Sequence, residues 1–167
     1  MYLNNSHVPE PIVYVIDDDQ DIRNSLTWLL DSVQLETKTF SSATEFLNYP
    51  RPNTPACLIL DIRMRGMSGL QLQQQLNQQK AYIPIIFMTG HGDIPMSVNA
   101  MKAGAFDFLE KPFNPQHMLN QIQACLQQAE QDFVAGENRK QQLLKLKSLS
   151  PRENEIINLL VDGLSSK

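Results

Sequence analysis

The sequence predicts an α/β protein built around a doubly wound, five-stranded parallel sheet. Short apolar runs bounded by polar residues recur along the chain, which is typical of strands buried on both faces of a parallel sheet. Between these runs lie longer segments in which apolar residues repeat at helical spacing. Alternating strands and helices, joined by right-handed crossovers, give a sheet with helices on both faces.

Each predicted strand is followed by a helix. The strands are Val13–Ile16, Leu35–Phe40, Cys57–Asp61, Ile83–Thr89 and Ala105–Leu109. The helix starts are marked by Asp19 or Asp21 as an N-cap, by the capping box of Ser42 and Glu45, by Pro95 in a first turn, and by Asn114 with Pro115. The apolar face of the first helix is predicted to run from Ile22 to Val33.

The last helix is predicted to continue beyond the compact domain. Its apolar spacing extends to Phe133 and then meets Gly136 and Lys140, which are poor residues for an apolar seam. Because Gly inside a helix costs about 1 kcal/mol relative to Ala, we expect a bend or weak point near Gly136. An amphipathic helix that packs on its own sheet to about residue 128 remains an alternative to a helical linker, and the linker is favoured.

A second domain is predicted to begin near residue 149. Ser150 as N-cap, Pro151 in the first turn and Glu153 make a strong helix start, and an apolar face follows until Asp162-Gly163. A lone helix of this length is marginal in water, so the chain is expected to be cut inside this domain. The predicted division is 11–126 for the first domain, 127–148 for the linker and 149–167 for the start of the second domain.

Polar residues end the predicted strands. Asp17–Asp19 follow the first strand, Asp61 ends the third, Thr89 ends the fourth and Lys111 follows the fifth. Ligands bind outside the carboxyl ends of parallel strands, so these side chains should converge on one pocket. Carboxylates this close repel, and one or more of their pKa values should rise when no cation is present. The set suits a divalent cation together with a phosphoryl group.

The bulk properties exclude several classes of protein. The net charge is −4 and charged residues make up 19% of the chain, so nothing is basic enough to hold nucleic acid by phosphate contacts alone. Cys57 and Cys125 stand in no metal-binding spacing and are predicted to be buried, reduced thiols. No signal peptide or membrane-spanning stretch is found, which predicts a cytoplasmic protein without a membrane partner.

The strand-end motifs carry a family resemblance. Asp17-Asp18, Asp61, Thr89-Gly90 and Lys111-Pro112-Phe113 resemble the receiver domain of two-component response regulators, which implies a flavodoxin-like sheet of order 2-1-3-4-5. Similarity to the FixJ branch lies in Met88–Met96 and Ala100–Ala105. Similarity to the opening of a LuxR-type helix-turn-helix domain lies in Leu149–Glu153 and Gly163–Lys167. One residue departs from the receiver pattern, since Arg65 stands where the family usually has proline.

The resemblance implies how the acidic residues act. Asp61 would be the nucleophile that takes a phosphoryl group from the phosphohistidine of a sensor histidine kinase. Asp18 and Asp61 would bind Mg²⁺ directly with the backbone carbonyl of Arg63, while Asp17 would help through water. Such a protein is a phospho-accepting switch rather than an enzyme, because it catalyses only its own phosphorylation and dephosphorylation.

The resemblance also implies a switch and an output. Lys111 and Thr89 would contact the phosphoryl group, the bond from Lys111 to Pro112 would be cis, and Phe108 would turn inward as Thr89 moves. The changed surface on the fourth helix, fifth strand and fifth helix would form a homodimer. DNA binding would need the complete C-terminal domain, which this sequence lacks. A strand residue that merely packs remains the alternative for Phe108.

Two other functions deserve comparison. A Mg²⁺-dependent phosphatase of the haloacid-dehalogenase type would use Asp61 as nucleophile, but it needs a general acid two residues later, where Arg63 stands. A stand-alone receiver that acts only through protein contacts would not need the capped helix that begins at Ser150. The phospho-accepting transcriptional switch therefore explains more of the sequence.

Overall fold

Five parallel strands form one sheet in the order β2-β1-β3-β4-β5, which confirms the predicted fold class. The computed structural model describes residues 8–90, 93–148 and 150–165. The strands are β1 Ile12–Ile16, β2 Glu36–Phe40, β3 Ala56–Asp61, β4 Ile85–Thr89 and β5 Asp107–Glu110. The helices are α1 Gln20–Asp31, α2 Ala43–Asn48, α3 Gly69–Gln78, α4 Ile94–Lys102, α5 Pro115–Lys147 and α6 Pro151–Ser165.

The strand register brings the carboxyl ends of the central strands to the same level. Ile16 pairs with Leu60, so the residues that follow them, Asp17 and Asp61, are neighbours. Asp61 pairs in turn with Met88, which directly precedes Thr89. The register therefore gathers the polar residues at the carboxyl ends of the strands, as the sequence predicts.

All five predicted strand starts differ from the structure. Those of β1 and β3 are one residue earlier than predicted, at Ile12 and Ala56, and the other three are later. The fourth strand begins at Ile85 and not at Ile83, because Pro84 has no N–H to donate to the sheet. The fifth strand is Asp107–Glu110 and not Ala105–Leu109, since the N–H of Ala105 bonds to the carbonyl of Ala100 at the end of α4. The second strand begins one residue later than predicted, at Glu36.

The strands are not all buried on both faces as the apolar runs predict. Every residue of β1, β3 and β4 is buried, but β2 and β5 expose part of each strand. These two strands form the edges of the sheet and carry charged residues, among them Lys38 and Glu110. Charged residues at an edge disfavour pairing with further strands.

The helix starts follow the predicted signals with two differences. Asp19 caps α1 and accepts the N–H of Asp21, which settles the open choice between them. Ser42 caps α2 by accepting the N–H of Glu45, but the Glu45 carboxylate bonds to Ser41 instead of closing the predicted capping box. Sequence analysis missed the complete capping box that opens α3, formed by Ser68 and Gln71.

The ends of two helices also differ from the prediction. Helix α1 ends at Asp31, and Val33 lies beyond it with an exposed side chain, because the backbone turns through a positive φ at Gln34. Helix α6 runs through Gly163 to Ser165, although Asp162-Gly163 was predicted to end it. The cost of about 1 kcal/mol for a helical Gly is evidently not enough to end this helix.

Two apolar clusters cover the two faces of the sheet. One contains Tyr14, Phe40 and Phe46 with the side chains of α2 to α4, and the other places Ile59 and its neighbours against α1 and α5. Cys57 and Cys125 are buried, free thiols in the second cluster, as predicted. Burial raises the pKa of the Cys57 thiol well above its usual range, so this thiol is unreactive.

Helix α5 is a single helix that continues through Gly136 to Lys147. The bend or weak point expected near Gly136 stays a prediction. Its buried residues end at Ala129, and the chain divides into two compact units between Asp132 and Phe133. In the second unit, Ser150 and Glu153 form the predicted capping box of α6. None of the described helices is both long and apolar enough to cross a membrane.

Candidate functional site

Three carboxylates meet where β1 and β3 end. One side-chain oxygen from each of Asp17, Asp18 and Asp61 lies within 4.8 Å of the other two. Asp17 and Asp61 are buried and Asp18 is exposed, so the cluster opens to solvent on one side. Carboxylate oxygens are the ligands that Mg²⁺ prefers, and one or two of them with water and phosphate complete its usual coordination. The donor set fits that ion.

Lys111 places an ammonium group against two of the carboxylates. Its Nζ lies 2.8 Å from Oδ2 of Asp17 and 3.4 Å from Oδ2 of Asp61. Burial lowers the pKa of Lys111, but the hydrogen bond to Asp17 and the charge of Asp61 outweigh it, and the pKa is raised overall. Lys111 is therefore a firmly held positive charge beside the carboxyl group of Asp61.

Asp61 binds its proton more tightly than an ordinary aspartate. Burial and the negative charge of Asp17 raise its pKa from 3.8 to about 6, against the opposing effects of Lys111 and the backbone N–H of Arg63. The rise agrees with the expected repulsion among these carboxylates. A cation in the cluster would offset this repulsion and favour the ionised, nucleophilic form of Asp61.

Asp61→Asn is expected to stabilise the protein in the absence of metal as the pH rises. The wild-type protein gains stability from the Asp61 proton below about pH 4 and loses it as the pH rises through about 6, because the folded pKa is the higher one. The asparagine variant avoids this loss, so its advantage should grow to at most about 3 kcal/mol at pH 7. Urea unfolding with chelator between pH 4 and 7.5 measures the difference in unfolding free energy between the two proteins. A difference independent of pH would contradict the raised pKa of Asp61.

Thr89 and Phe108 lie on the strands β4 and β5, which follow the strand that ends at Asp61 in the order of the sheet. The hydroxyl of buried Thr89 donates to the backbone carbonyl of Leu109 at 3.4 Å. Phe108 on β5 is 41% exposed, which disfavours the alternative that it merely packs in the core. The peptide bond between Lys111 and Pro112 is cis. The structure thus places the predicted site residues at the carboxyl ends of β1, β3, β4 and β5, except Phe108, which lies within β5 and pairs with Phe87.

The loop after β3 adds backbone donors to the carboxylates. The N–H of Arg63 donates to Oδ1 of Asp61, and the N–H of Arg65 donates to Oδ2 of Asp18, each at 3.3 Å. A proline at position 65 could not donate the second bond. The departure from the usual receiver pattern therefore supplies this chain with an additional contact to Asp18.

Sequence reasoning missed three residues that build the site. Arg23 on α1 donates through its guanidinium to the backbone carbonyl of Asp17 at 2.6 Å. Gly69 begins α3 directly against the backbone of Asp61. Asp93 pairs with the side chain of Arg63. The Ser68–Gln71 capping box could have located the α3 start, but the side-chain contacts of Arg23 and Asp93 have no periodic signal.

Gly69→Ala is expected to destabilise the compact unit that ends at Asp132 by about 1–3 kcal/mol. A Cβ there would collide with the backbone carbonyl oxygen of Asp61 and lie 3.0 Å from the Cα of Ile62, so the phospho-acceptor candidate itself must shift. Gly136→Ala is the matched control, because a Cβ at Gly136 meets nothing and should stabilise a helix. Urea unfolding of both variants measures the contrast, and equal stability would show that the α3 start can move freely.

Comparison with known proteins agrees with this geometry. The response regulator receiver domain family matches residues 13–123. Transcriptional regulatory protein TdiR of Thauera aromatica is 45% identical over 156 residues, which cover 93% of this chain and 68% of that protein. FixJ of Azorhizobium caulinodans is 40% identical over 161 residues, which cover 96% of this chain and 76% of that protein.

Solved structures show the same fold. A structure of response regulator StyR superposes with a TM-score of 0.84 at 45% identity, covering 93% of this chain and 78% of that one. A crystal structure of FixJ-N superposes with a TM-score of 0.66 at 39% identity, covering 72% of this chain and 96% of that one. The parallel sheet and the acidic cluster at the carboxyl ends of its strands thus define a receiver of the two-component type. The chain belongs to the response regulator receiver family and is a two-component response regulator with FixJ-like relatives.

Proposed function

We propose that this chain receives a phosphoryl group on Asp61 from the phosphohistidine of a sensor histidine kinase and thereby controls transcription. The observation that carries the proposal is the place of Asp61, whose carboxylate lies in the acidic cluster with the Lys111 ammonium at 3.4 Å. Relatives that match more than nine-tenths of this chain bear the names of transcriptional regulatory proteins. A receiver family member with this site is best explained as a phospho-accepting switch.

The transfer exchanges one phosphorus bond for another. The bond from the histidine nitrogen to phosphorus breaks while a bond from an Asp61 carboxylate oxygen to phosphorus forms, and the imidazole keeps the electron pair. Such transfers need positioning and charge stabilisation more than covalent assistance. Lys111 supplies a fixed positive charge beside the incoming group, and the N–H of Arg63 holds Oδ1 of Asp61.

The acidic cluster would hold the Mg²⁺ that this reaction requires. Asp18 and Asp61 would bind the ion directly with the backbone carbonyl of Arg63, and Asp17, already bonded to Lys111, would act through water. When bound, Mg²⁺ supplies positive charge to the phosphoryl oxygens and to the carboxylates. A phosphatase is not favoured, because Arg63 pairs with Asp93 and an arginine cannot act as a general acid.

Phosphorylation would act on Thr89 and Phe108. The added group carries nearly two negative charges and accepts hydrogen bonds, so it would draw the Thr89 hydroxyl away from the Leu109 carbonyl, where the bond is long at 3.4 Å. Movement of Thr89 would make room for Phe108, which is exposed and pairs in the sheet with Phe87, two residues before Thr89. A few kcal/mol separate the states of such switches, so a local charge can change their populations.

The proposed output surface lies on α4 and β5. Ile94, Val98 and Met101 recur on one side of α4 and are exposed, and Phe108 is exposed on the neighbouring strand. Exposed apolar residues that cluster in this way mark protein interaction sites. With the start of α5 they would form the face through which two phosphorylated receivers associate.

DNA binding would come from the C-terminal part of the regulator. We assign residues 11–126 to the receiver, 127–148 to a helical linker and 149–167 to the first part of a LuxR-type helix-turn-helix domain. The capped α6 and its exposed apolar residues support this assignment, because such a face needs a partner to bury it. The same features argue against a receiver that acts alone. A recognition helix is required to read the major groove, so residues 1–167 should bind DNA no better than other acidic proteins.

Beryllofluoride with Mg²⁺ is expected to convert the chain from monomer to dimer. The reagent mimics a phosphoryl group on a carboxylate, and the apolar residues of α4 and β5 supply the contact surface. Sedimentation velocity measures the change, with Mg²⁺ and fluoride alone as the control. Val98→Asp should remain monomeric with beryllofluoride. An unchanged wild-type monomer would contradict dimerisation through this face.

The assignment of the C-terminal region has a separate test. Sequence-specific DNA binding by residues 1–167 would contradict that assignment.

A further inference from the structure

A buried carboxylate stands at the start of α4, outside the acidic cluster. Asp93 is only 4% exposed, and the Nε of Arg63 lies 2.7 Å from its Oδ1. The backbone N–H of Gly90 donates to its Oδ2 at 3.1 Å. Burying a charged group is unfavourable unless it is paired and hydrogen-bonded, so Asp93 depends on both donors.

Asp93 also anchors the first turn of α4. It is the N-cap residue, and its backbone carbonyl accepts both the N–H and the hydroxyl of Ser97 at 3.0 Å. Ile94, the next residue, is 74% exposed and belongs to the proposed dimer face. Any change in the surroundings of the Asp93 carboxylate is therefore transmitted to the start of that face.

Arg63 connects this anchor to the phospho-acceptor. Its backbone N–H donates to Oδ1 of Asp61, while its side chain holds Asp93. Gly90, the second donor to Asp93, directly follows Thr89 in the chain. Two short paths thus lead from the phosphorylation site to the same buried carboxylate, one through Arg63 and the other through the backbone after Thr89.

We propose that the ion pair between Arg63 and Asp93 is a latch that holds α4 in its resting position and that phosphorylation of Asp61 releases. The inference rests on the proposed function. The phosphoryl group brings nearly two negative charges beside the loop that carries Arg63. This group and the Asp93 carboxylate then compete for the Arg63 guanidinium, whose side chain is 70% exposed. Once Arg63 leaves, the buried Asp93 keeps only the Gly90 donor among the residues that the structure describes, and the start of α4 must move to rehydrate it.

The latch makes a clear prediction for the resting protein. In Arg63→Ala, amide hydrogen exchange in residues 93–102 should be at least about tenfold faster than in wild type, because local opening no longer breaks an ion pair. Asp93→Asn should show a similar acceleration, although its side-chain oxygen can still accept the N–H of Gly90. The double variant should exchange little faster than either single variant, since both remove the same interaction.

The latch also predicts the response to a phosphoryl mimic. Asp93→Asn should reach half-maximal dimerisation at a beryllofluoride concentration about fivefold or more below that of wild type, because part of the switching free energy has already been removed. Arg51→Ala is the control, since it removes one charge, of opposite sign to that of Asp93, together with a contact to the Phe46 ring on α2. It should lower stability without changing either the dimerisation midpoint or the exchange of residues 93–102.

The outcomes separate this inference from the proposed function. If wild type dimerises and the Asp93→Asn midpoint equals that of wild type or of Arg51→Ala, the latch is overturned while the switch stands. Faster hydrogen exchange in Asp93→Asn without a lower dimerisation midpoint overturns the latch as well, because the ion pair between Arg63 and Asp93 then has no part in switching. If wild type does not respond to beryllofluoride, the proposed function fails, and unchanged exchange in Arg63→Ala would overturn the resting latch independently.

Discussion

Asp18→Ala is expected to weaken Mg²⁺ binding by at least about a hundredfold while the fold survives. Mg²⁺ sites of this kind use only one or two carboxylates, so losing one removes a large share of the protein's contribution. Asp18 is exposed and its carboxylate accepts the backbone N–H of Arg65, so its removal should leave the core intact. Titration calorimetry with Mg²⁺ measures the affinity, and circular dichroism measures the fold.

The controls for Asp18→Ala use two other properties of the cluster. In the absence of metal the variant should be no less stable than wild type, because it removes a negative charge close to Asp17 and Asp61. Asp19→Ala is a suitable comparison, because Asp19 lies one residue further along, caps α1 and is not among the clustered carboxylates of the described residues. It should lose stability and keep its Mg²⁺ affinity. Undiminished affinity in Asp18→Ala would place the ion elsewhere.

The fold was predictable from the sequence because the central strands are buried on both faces. β1 and β3 are continuous apolar runs that end at Asp17 and Asp61, and such runs have few other interpretations once helical segments separate them. The site was predictable for the same reason. Parallel strands align their carboxyl ends, so the residues that follow them converge whatever the intervening loops do.

The element boundaries were less predictable because they depend on backbone hydrogen bonds rather than on hydropathy. Ile83 is as apolar as Ile85, but Pro84 between them excludes it from the sheet. Gly163 is a common end for a helix, yet α6 continues through it. The helical Gly163 is a difference of about 1 kcal/mol, which neighbouring contacts easily reverse.

The contacts that tune the site could not be read from the sequence. Arg63 and Asp93 are thirty residues apart, and either could have been a solvated loop residue. The steric role of Gly69 depends on how closely α3 approaches the backbone of Asp61. Such pairings are determined by the packing of loops on the finished sheet, and periodicity in the chain does not encode them.

Asp61→Asn is expected to abolish phosphorylation completely. Amide oxygen is a poor nucleophile, and the uncharged side chain also removes one of the carboxylates that would bind Mg²⁺. Asp17 is buried against Lys111, and within the described part of the chain Asp18 has no comparable ammonium partner, so neither is placed to replace Asp61. The expected rate with an acyl-phosphate donor is therefore zero within the detection limit of intact-mass spectrometry.

Intact-mass spectrometry of wild type and Asp61→Asn, each incubated with an acyl-phosphate donor and Mg²⁺, tests the central claim most directly. Wild type should gain about 80 Da, the mass of one phosphoryl group, and should lose this gain when chelator replaces Mg²⁺. Asp61→Asn should gain nothing under either condition. Equal labelling of the two proteins would contradict the assignment of Asp61 as the phospho-acceptor, and equal labelling with and without Mg²⁺ would contradict the role of the acidic cluster.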